Sequence, residues 1–173
     1  QSCRSTRRVI EKGPTVAKVG QKLLGVYKCL PTGKPLDRNA VIGPMIEKGA
    51  VDAVQKSIEP WKKECGEVLY GGERLEAPEF SSGCYMKPCL ANAKPDFEIV
   101  HKETFGPLLY LLTYREFDEA IAIQNGVPQG LTSAIFTNDV REAEKFVSAV
   151  GSDCGIANIN TGTSGAGIWG AFG

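Results

Sequence analysis

Histidine is nearly absent from this sequence: His101 stands alone among 173 residues, and none of the six cysteines forms a CxxC pair. Structural zinc sites are usually built from clustered cysteine and histidine ligands, so the composition argues against zinc, and no metal site is expected. The cysteines at 3, 29, 65, 84, 89 and 154 are irregularly spaced, in a chain too long for a disulfide-stapled miniature, which points to free thiols in a reducing compartment. Neither sign of charge is in excess, with 20 basic and 20 acidic residues. That balance lacks the basic footprint of a nucleic-acid-binding protein and supplies little repulsion against self-association. No apolar run approaches the length of a membrane span, and no signal-like stretch opens the chain. The chain starts without methionine and reads as a piece of a longer polypeptide. A cytoplasmic setting is expected, with a mitochondrial one left open by the missing N-terminal region. The glycine-rich end, residues 162–173, has no GxGxxG leading from a strand into a helix and no GxxxxGK[ST], so a nucleotide-binding fingerprint is missing.

What is present suits one soluble α/β unit with a substantial core, with 42% hydrophobic and 23% charged residues. Arg8-Val9-Ile10 reads as the end of a strand, and Pro14 falls where a helix can begin. Val16, Val19, Leu23 and Tyr27 follow at helical spacing, with Gly20 and Gly25 permitting close packing. A second helix carries Ala50, Val54, Ile58, Trp61 and Cys65, and Pro60 is expected to kink or split it. Glu67–Tyr70 reads as a strand stopped by Gly71-Gly72, and Tyr85–Leu90 as an extended but irregular segment because of Pro88. The run Leu108–Leu112 suits a strand covered on both faces. Thr113 with Glu116, and Asp139 with Glu142, have capping-box spacing before two helices, the second ending at Gly151. Strands at 132–136 and 154–159 complete an alternation that predicts a mostly parallel sheet flanked by helices.

Cys3 is a candidate nucleophile. Arginines at 4, 7 and 8 lie within five positions of it, and nearby cations favour the thiolate, the nucleophilic form. A small buried cysteine beside solvated arginines is the alternative reading. The glycines after 162 fit either a flexible tail or a mobile loop whose backbone approaches a ligand.

An ordered series of short motifs runs nearly the whole chain: Gln1-x-Cys3 with Arg8, Gly43-Pro44, Gly71-Gly72, Gly83-x-Tyr85-x-x-Pro88, and Glu103-Thr104-Phe105-Gly106-Pro107. Asn125, Gly130-Leu131-Thr132-Ser133, Ile135-Phe136-Thr137, Gly155 and Asn158-Ile159-Asn160 continue it. With these the chain resembles part of the catalytic domain of the NAD(P)-dependent aldehyde dehydrogenase superfamily. Gly151–Ile156 and Thr163-Ser164-Gly165-Ala166 resemble its antiquitin branch, which oxidises an amino-acid-derived semialdehyde in lysine breakdown with NAD. The resemblance implies that Cys3 is the nucleophile and that its backbone N–H helps hold the oxyanion. It implies that Glu103 binds the hydroxyls of the nicotinamide-side ribose and that Phe105 packs near the nicotinamide. It also implies substrate contacts at Asn160 and at Gly165 and Ala166, whose backbone N–H groups would bind a distal carboxylate. A surface acid at Glu103 and a turn residue at Asn160 are the structural alternatives.

The chain departs from that pattern at several positions. Ser2 stands where the branch carries an arginine for the substrate carboxylate, and a hydroxyl cannot form a bidentate charged contact. Arg4 is the expected partial substitute. Gly167 replaces an acid, Trp169 a small residue and Cys89 a threonine. The upstream nucleotide-binding domain, the general-base glutamate, the oxyanion asparagine and the C-terminal tail used in oligomerisation are not in these residues. The expectation is therefore a partial catalytic domain over 1–173, inactive in isolation, from a homo-oligomeric enzyme acting on a small aldehyde. The alternative is a non-enzymatic truncated relative with a structural or interaction role.

Overall fold

The computed structural model describes residues 1–63 and 66–164, with backbone alone for 60–63. The described residues form two compact units: Gln1 with Arg7–Thr113, and Ser2–Thr6 with the residues from Tyr114 onward. Fold class is α/β, as the strand–helix alternation predicts.

The first unit contains β1 (Arg8–Lys12), α1 (Gly13–Cys29), α2 (Lys48–Lys63), β2 (Glu67–Tyr70), β3 (Cys89–Asn92) and most of β4 (Leu108–Tyr114). Its four strands lie in the order β1-β4-β3-β2. β3 runs parallel to β4 with Leu90 opposite Leu109, while β2 is antiparallel to β3 and slips register between Val68 and Tyr70. Leu108 to Leu112 are all buried, as a strand covered on both faces requires. On one side Val9, Leu23, Leu24 and Tyr27 pack around Leu90, Leu109 and Leu111. Gly20 makes that approach close, because a Cβ there would lie 3.4 Å from Leu111 Cδ1. On the other side α2 presents buried Val51, Val54 and Ile58. The turn after β2 requires glycine: Gly71 has φ +71°, and a Cβ there would stand 1.9 Å from the Pro88 carbonyl oxygen.

The second unit holds α3 (Phe117–Asn125), β5 (Thr132–Ile135), α4 (Val140–Val147) and β6 (Ile156–Ile159). β5 and β6 are parallel, with Thr132 opposite Ile156. Ile121, Ala143 and Phe146 supply buried side chains from the two helices.

Several local expectations change. The predicted alternation from Leu108 to Ile159 is divided between two sheets, four-stranded and two-stranded. α2 continues across Pro60; only three helical residues follow it, and the helix is already anchored upstream by its buried aliphatics. The cap of α3 is Glu116, and the Glu119 carboxylate accepts from the Arg115 N–H in place of the expected Thr113 arrangement. Asp139 does cap α4 by accepting from the Arg141 N–H, but Glu142 turns to the Thr137 hydroxyl. α4 stops at Val147, and Gly151 instead closes the following turn, where a Cβ would meet the Phe146 carbonyl oxygen at 2.1 Å. Trp61 has no described side chain, and Cys65 lies outside the described residues.

Candidate active site

In the first unit, residues 103–107 form a loop entering β4. Its shape depends on Gly106, whose missing side chain lets the loop press on α2: a Cβ there would lie 2.4 Å from Val54 Cγ2 and 3.2 Å from Met45 Cε. The Gly106 N–H donates to the Thr104 carbonyl at 2.8 Å, and the Leu108 N–H donates to the Gly106 carbonyl at 2.8 Å. These tight turns leave Phe105 exposed, and the Cys89 N–H fastens the loop to β3 through the Pro107 carbonyl at 2.7 Å.

Two residues from the start of the chain grip this loop. Gln1 donates from Nε2 to the Phe105 carbonyl at 3.0 Å, and its Oε1 accepts from the Ile46 N–H at 2.8 Å. The Arg7 guanidinium lies over the Phe105 ring, 4.9 Å from its centroid, with Nε 3.7 Å from Glu103 Oε1. Glu103 is thus exposed and faces a cation, and it sits beside an exposed aromatic ring. Neighbouring Lys102 pairs with Glu98, and His101 Nε2 lies 2.7 Å from the Pro95 carbonyl oxygen. An ionised carboxylate has spare acceptor capacity for the two hydroxyls of a ribose, so the acceptor here fits that half of a dinucleotide. Among the described residues, no group of three His, Cys, Asp or Glu side chains is placed to hold a metal ion.

In the second unit, Cys3 is exposed on a turn closed by the Ser5 N–H donating to the Ser2 carbonyl at 3.1 Å. Within this chain Cys3 is not the small buried thiol of the alternative reading. The turn is tied to residues 163–164. Thr163 Oγ1 donates to the Arg4 carbonyl at 2.8 Å, Arg4 Nη1 donates to the Ser164 carbonyl at 3.3 Å, and the Thr6 and Thr163 hydroxyls are 3.2 Å apart. Thr132 Oγ1, on β5, donates to the Thr163 carbonyl at 3.0 Å. Arg4, expected at the substrate, therefore has one guanidinium N–H engaged by backbone. Asn160 adopts a left-handed conformation with φ +54°. Its amide makes paired bonds to Thr137: Oδ1 accepts from the N–H and Nδ2 donates to the carbonyl, each at 3.0 Å. That is the work of a turn residue joining β6 to the segment after β5. Gly165 and Ala166, together with Gly167 and Trp169, lie outside the described residues.

Arg7 and Gln1 were not legible as loop-holding residues. The arginine cluster drew attention to Cys3 and Arg8, whereas the Arg7 contacts depend on pairing across 96 to 99 positions of sequence. Thr6 gave no local signal, and Thr163 was marked only as part of a motif, not as a residue that ties down the Cys3 turn.

The profile described as "Aldehyde dehydrogenase family" matches residues 1–173. An "Alpha-aminoadipic semialdehyde dehydrogenase" from Bos taurus is 40% identical over 174 aligned positions, covering 100% of this chain and 32% of the relative. An "Aldehyde dehydrogenase family 7 member A1" from Brassica napus is 39% identical over 173 residues, covering 100% of this chain and 34% of the relative. Among solved structures, PnpE from Pseudomonas sp. WBC-3 has a TM-score of 0.87 at 26% identity, covering 94% of this chain and 33% of the other. Betaine aldehyde dehydrogenase from Staphylococcus aureus, solved in complex with NAD+, has a TM-score of 0.83 at 24% identity, covering 90% of this chain and 31% of the other, a likeness of fold. The chain spans about a third of the length of the relatives it matches. Motifs in family order, an exposed cysteine on a tied turn and a profile match without gaps at either end converge: the chain belongs to the aldehyde dehydrogenase family.

Proposed function

We propose that the full-length protein oxidises an aldehyde to a carboxylate with NAD, and that the substrate is an amino-acid-derived semialdehyde. The observation that carries this reading is the exposed Cys3 on its hydrogen-bonded turn, in a chain whose relatives include semialdehyde dehydrogenases. The Cys3 thiolate attacks the aldehyde carbon, forming the S–C bond and placing the charge on oxygen, where the Cys3 N–H donates to it. The adduct loses its hydrogen as hydride and becomes a thioester. Water then adds to the thioester carbon, the S–C bond breaks, and carboxylate and thiolate are released as the two protons of the water pass to solvent. NAD supplies the hydride acceptor when bound. Glu103 would hold its ribose hydroxyls and Phe105 would pack on the nicotinamide side.

Arg4, Asn160, Gly165 and Ala166 line the substrate mouth in this reading. Arg4 acts there by holding the strand of backbone that leads into Gly165, and Asn160 acts by setting the turn before it. The full-length protein is a homo-oligomer in the same reading. No observation favours a purely structural role.

The test is aldehyde-dependent NADH formation by full-length protein across semialdehydes with and without a distal carboxylate. Cys3→Ser is expected to lower kcat by roughly 10³-fold or more, as loss of a nucleophile does. Undiminished turnover in that variant would sink the mechanism, and mass spectrometry of acid-quenched enzyme should find the acyl group on Cys3 alone.

A further inference from the structure

Arg7 touches the 103–107 loop at three places within the first unit. Its Nε faces Glu103 Oε1 at 3.7 Å, its guanidinium carbon lies over the Phe105 ring 4.9 Å from the centroid, and its Nη1 donates to the Gly106 carbonyl at 3.5 Å. The side chain is largely buried, at 18% exposure, while Glu103 keeps 44%. A planar, delocalised cation can stack on an aromatic face while its edge N–H groups meet oxygen, a combination a lysine cannot reproduce. Lys102, adjacent in sequence to Glu103, does not compete, because its ammonium pairs with Glu98. Arg7 Nε faces Glu103 Oε1, and an ionised carboxylate has about four lone-pair sites, so acceptor capacity remains for a vicinal diol.

Building on the dehydrogenase reading above, we infer that Arg7 is a positioning residue for the cofactor: it holds the Glu103 carboxylate and the Phe105 ring in one arrangement, presenting both to the ribose and nicotinamide of NAD. Without it, an exposed carboxylate and an exposed ring would each sample several rotamers, and binding NAD would have to order both. Gln1 fixes the backbone of the loop through the Phe105 carbonyl, and Gly106 fixes its depth against α2. Arg7 is the contact that fixes its side chains.

The experiment uses full-length protein as Arg7→Met, Arg7→Lys, Glu103→Gln and the Arg7→Met/Glu103→Gln double variant. It reads NADH affinity by fluorescence titration and the separate KM values for NAD and aldehyde. Arg7→Met is expected to weaken NADH binding by roughly five- to thirtyfold, the loss of one stacked, charge-assisted contact, and to raise the KM for NAD while leaving that for aldehyde unchanged. Arg7→Lys recovers part of the affinity, since an ammonium keeps the charge but not the flat stack. The double variant loses less NADH affinity than the product of the two single effects, because part of the Arg7 contribution acts through the carboxylate it positions and the rest through the Phe105 ring. Wild-type affinity in Arg7→Met, equal rises in both KM values, or effects that multiply in the double variant would overturn the inference. If Arg7→Met does not fold, Arg7→Lys decides, and wild-type NADH affinity there overturns it. Glu103→Gln binding NADH like wild type would instead remove the ribose role from Glu103, which is failure of the underlying reading.

Discussion

Glu11 lies in β1 on the same strand face as Val9, whose side chain packs on the Leu90, Leu109 and Leu111 cluster. It is buried, and neither carboxylate oxygen has a hydrogen-bond partner among the described residues. Desolvation pushes its pKa from 4.5 up to about 7. Because the folded value is raised, the protonated group favours the fold. That contribution is complete below pH 4.5 and is lost as pH rises through about 7. Glu11→Leu is therefore expected to stabilise the protein by roughly 1–2 kcal/mol at pH 8, less than the full shift implies because water screens part of the charge. Urea denaturation at pH 8 and pH 4.5 should show the gain at the higher pH alone; equal effects at both would contradict it. Nothing in the sequence singles out Glu11, since its burial comes from α1 packing over β1. Cys3 shows the opposite case. Its type and arginine neighbours suggested chemistry, but only the exposed turn separated that reading from a packed thiol.

Among the elements, those whose apolar period reports their own burial were readable. α1 follows Pro14, and β4 is a continuous apolar run because both of its faces are covered. Element ends were harder, since several side chains compete for the same terminal N–H groups. Asp139 wins at α4, accepting from the Arg141 N–H at 2.8 Å, and its own N–H donates to the hydroxyl of Thr137, whose backbone Asn160 staples. Asp139→Ala should lower stability by about 1 kcal/mol, and Asp139→Ser should retain most of it. Thermal melts followed by circular dichroism decide this; an unchanged midpoint for the alanine variant would mean that the Thr137 contacts alone hold the start of α4. Pro60 does not split α2, because a missing N–H near the end of an anchored helix removes one hydrogen bond without ending the helix.

At the scale of the whole molecule, apolar side chains stand exposed in each unit: Leu36, Val41 and Ile46 in the first, Phe136, Val140 and Val150 in the second. The formal charge is zero, so little electrostatic repulsion opposes contact between copies. The isolated 173-residue chain is expected to self-associate, with a weight-average sedimentation coefficient that rises with concentration. A concentration-independent monomer would contradict this. Family membership was legible at this scale, because motif order survives in one dimension. The holding contacts were not: Gln1 to Phe105 spans 104 positions and Arg4 to Ser164 spans 160, and no local periodicity encodes such pairings.

The order of residues alone determined the family motifs, the α/β class and the identity of the thiol and carboxylate offered for chemistry, since each depends on residue type and short spacing. Tertiary structure decided that Cys3 is accessible, that Arg7 rather than Lys102 faces Glu103, and that the Asn160 amide serves the backbone. Those outcomes depend on which distant segments packing brings within a few ångströms, and burial and direction are properties of that packing.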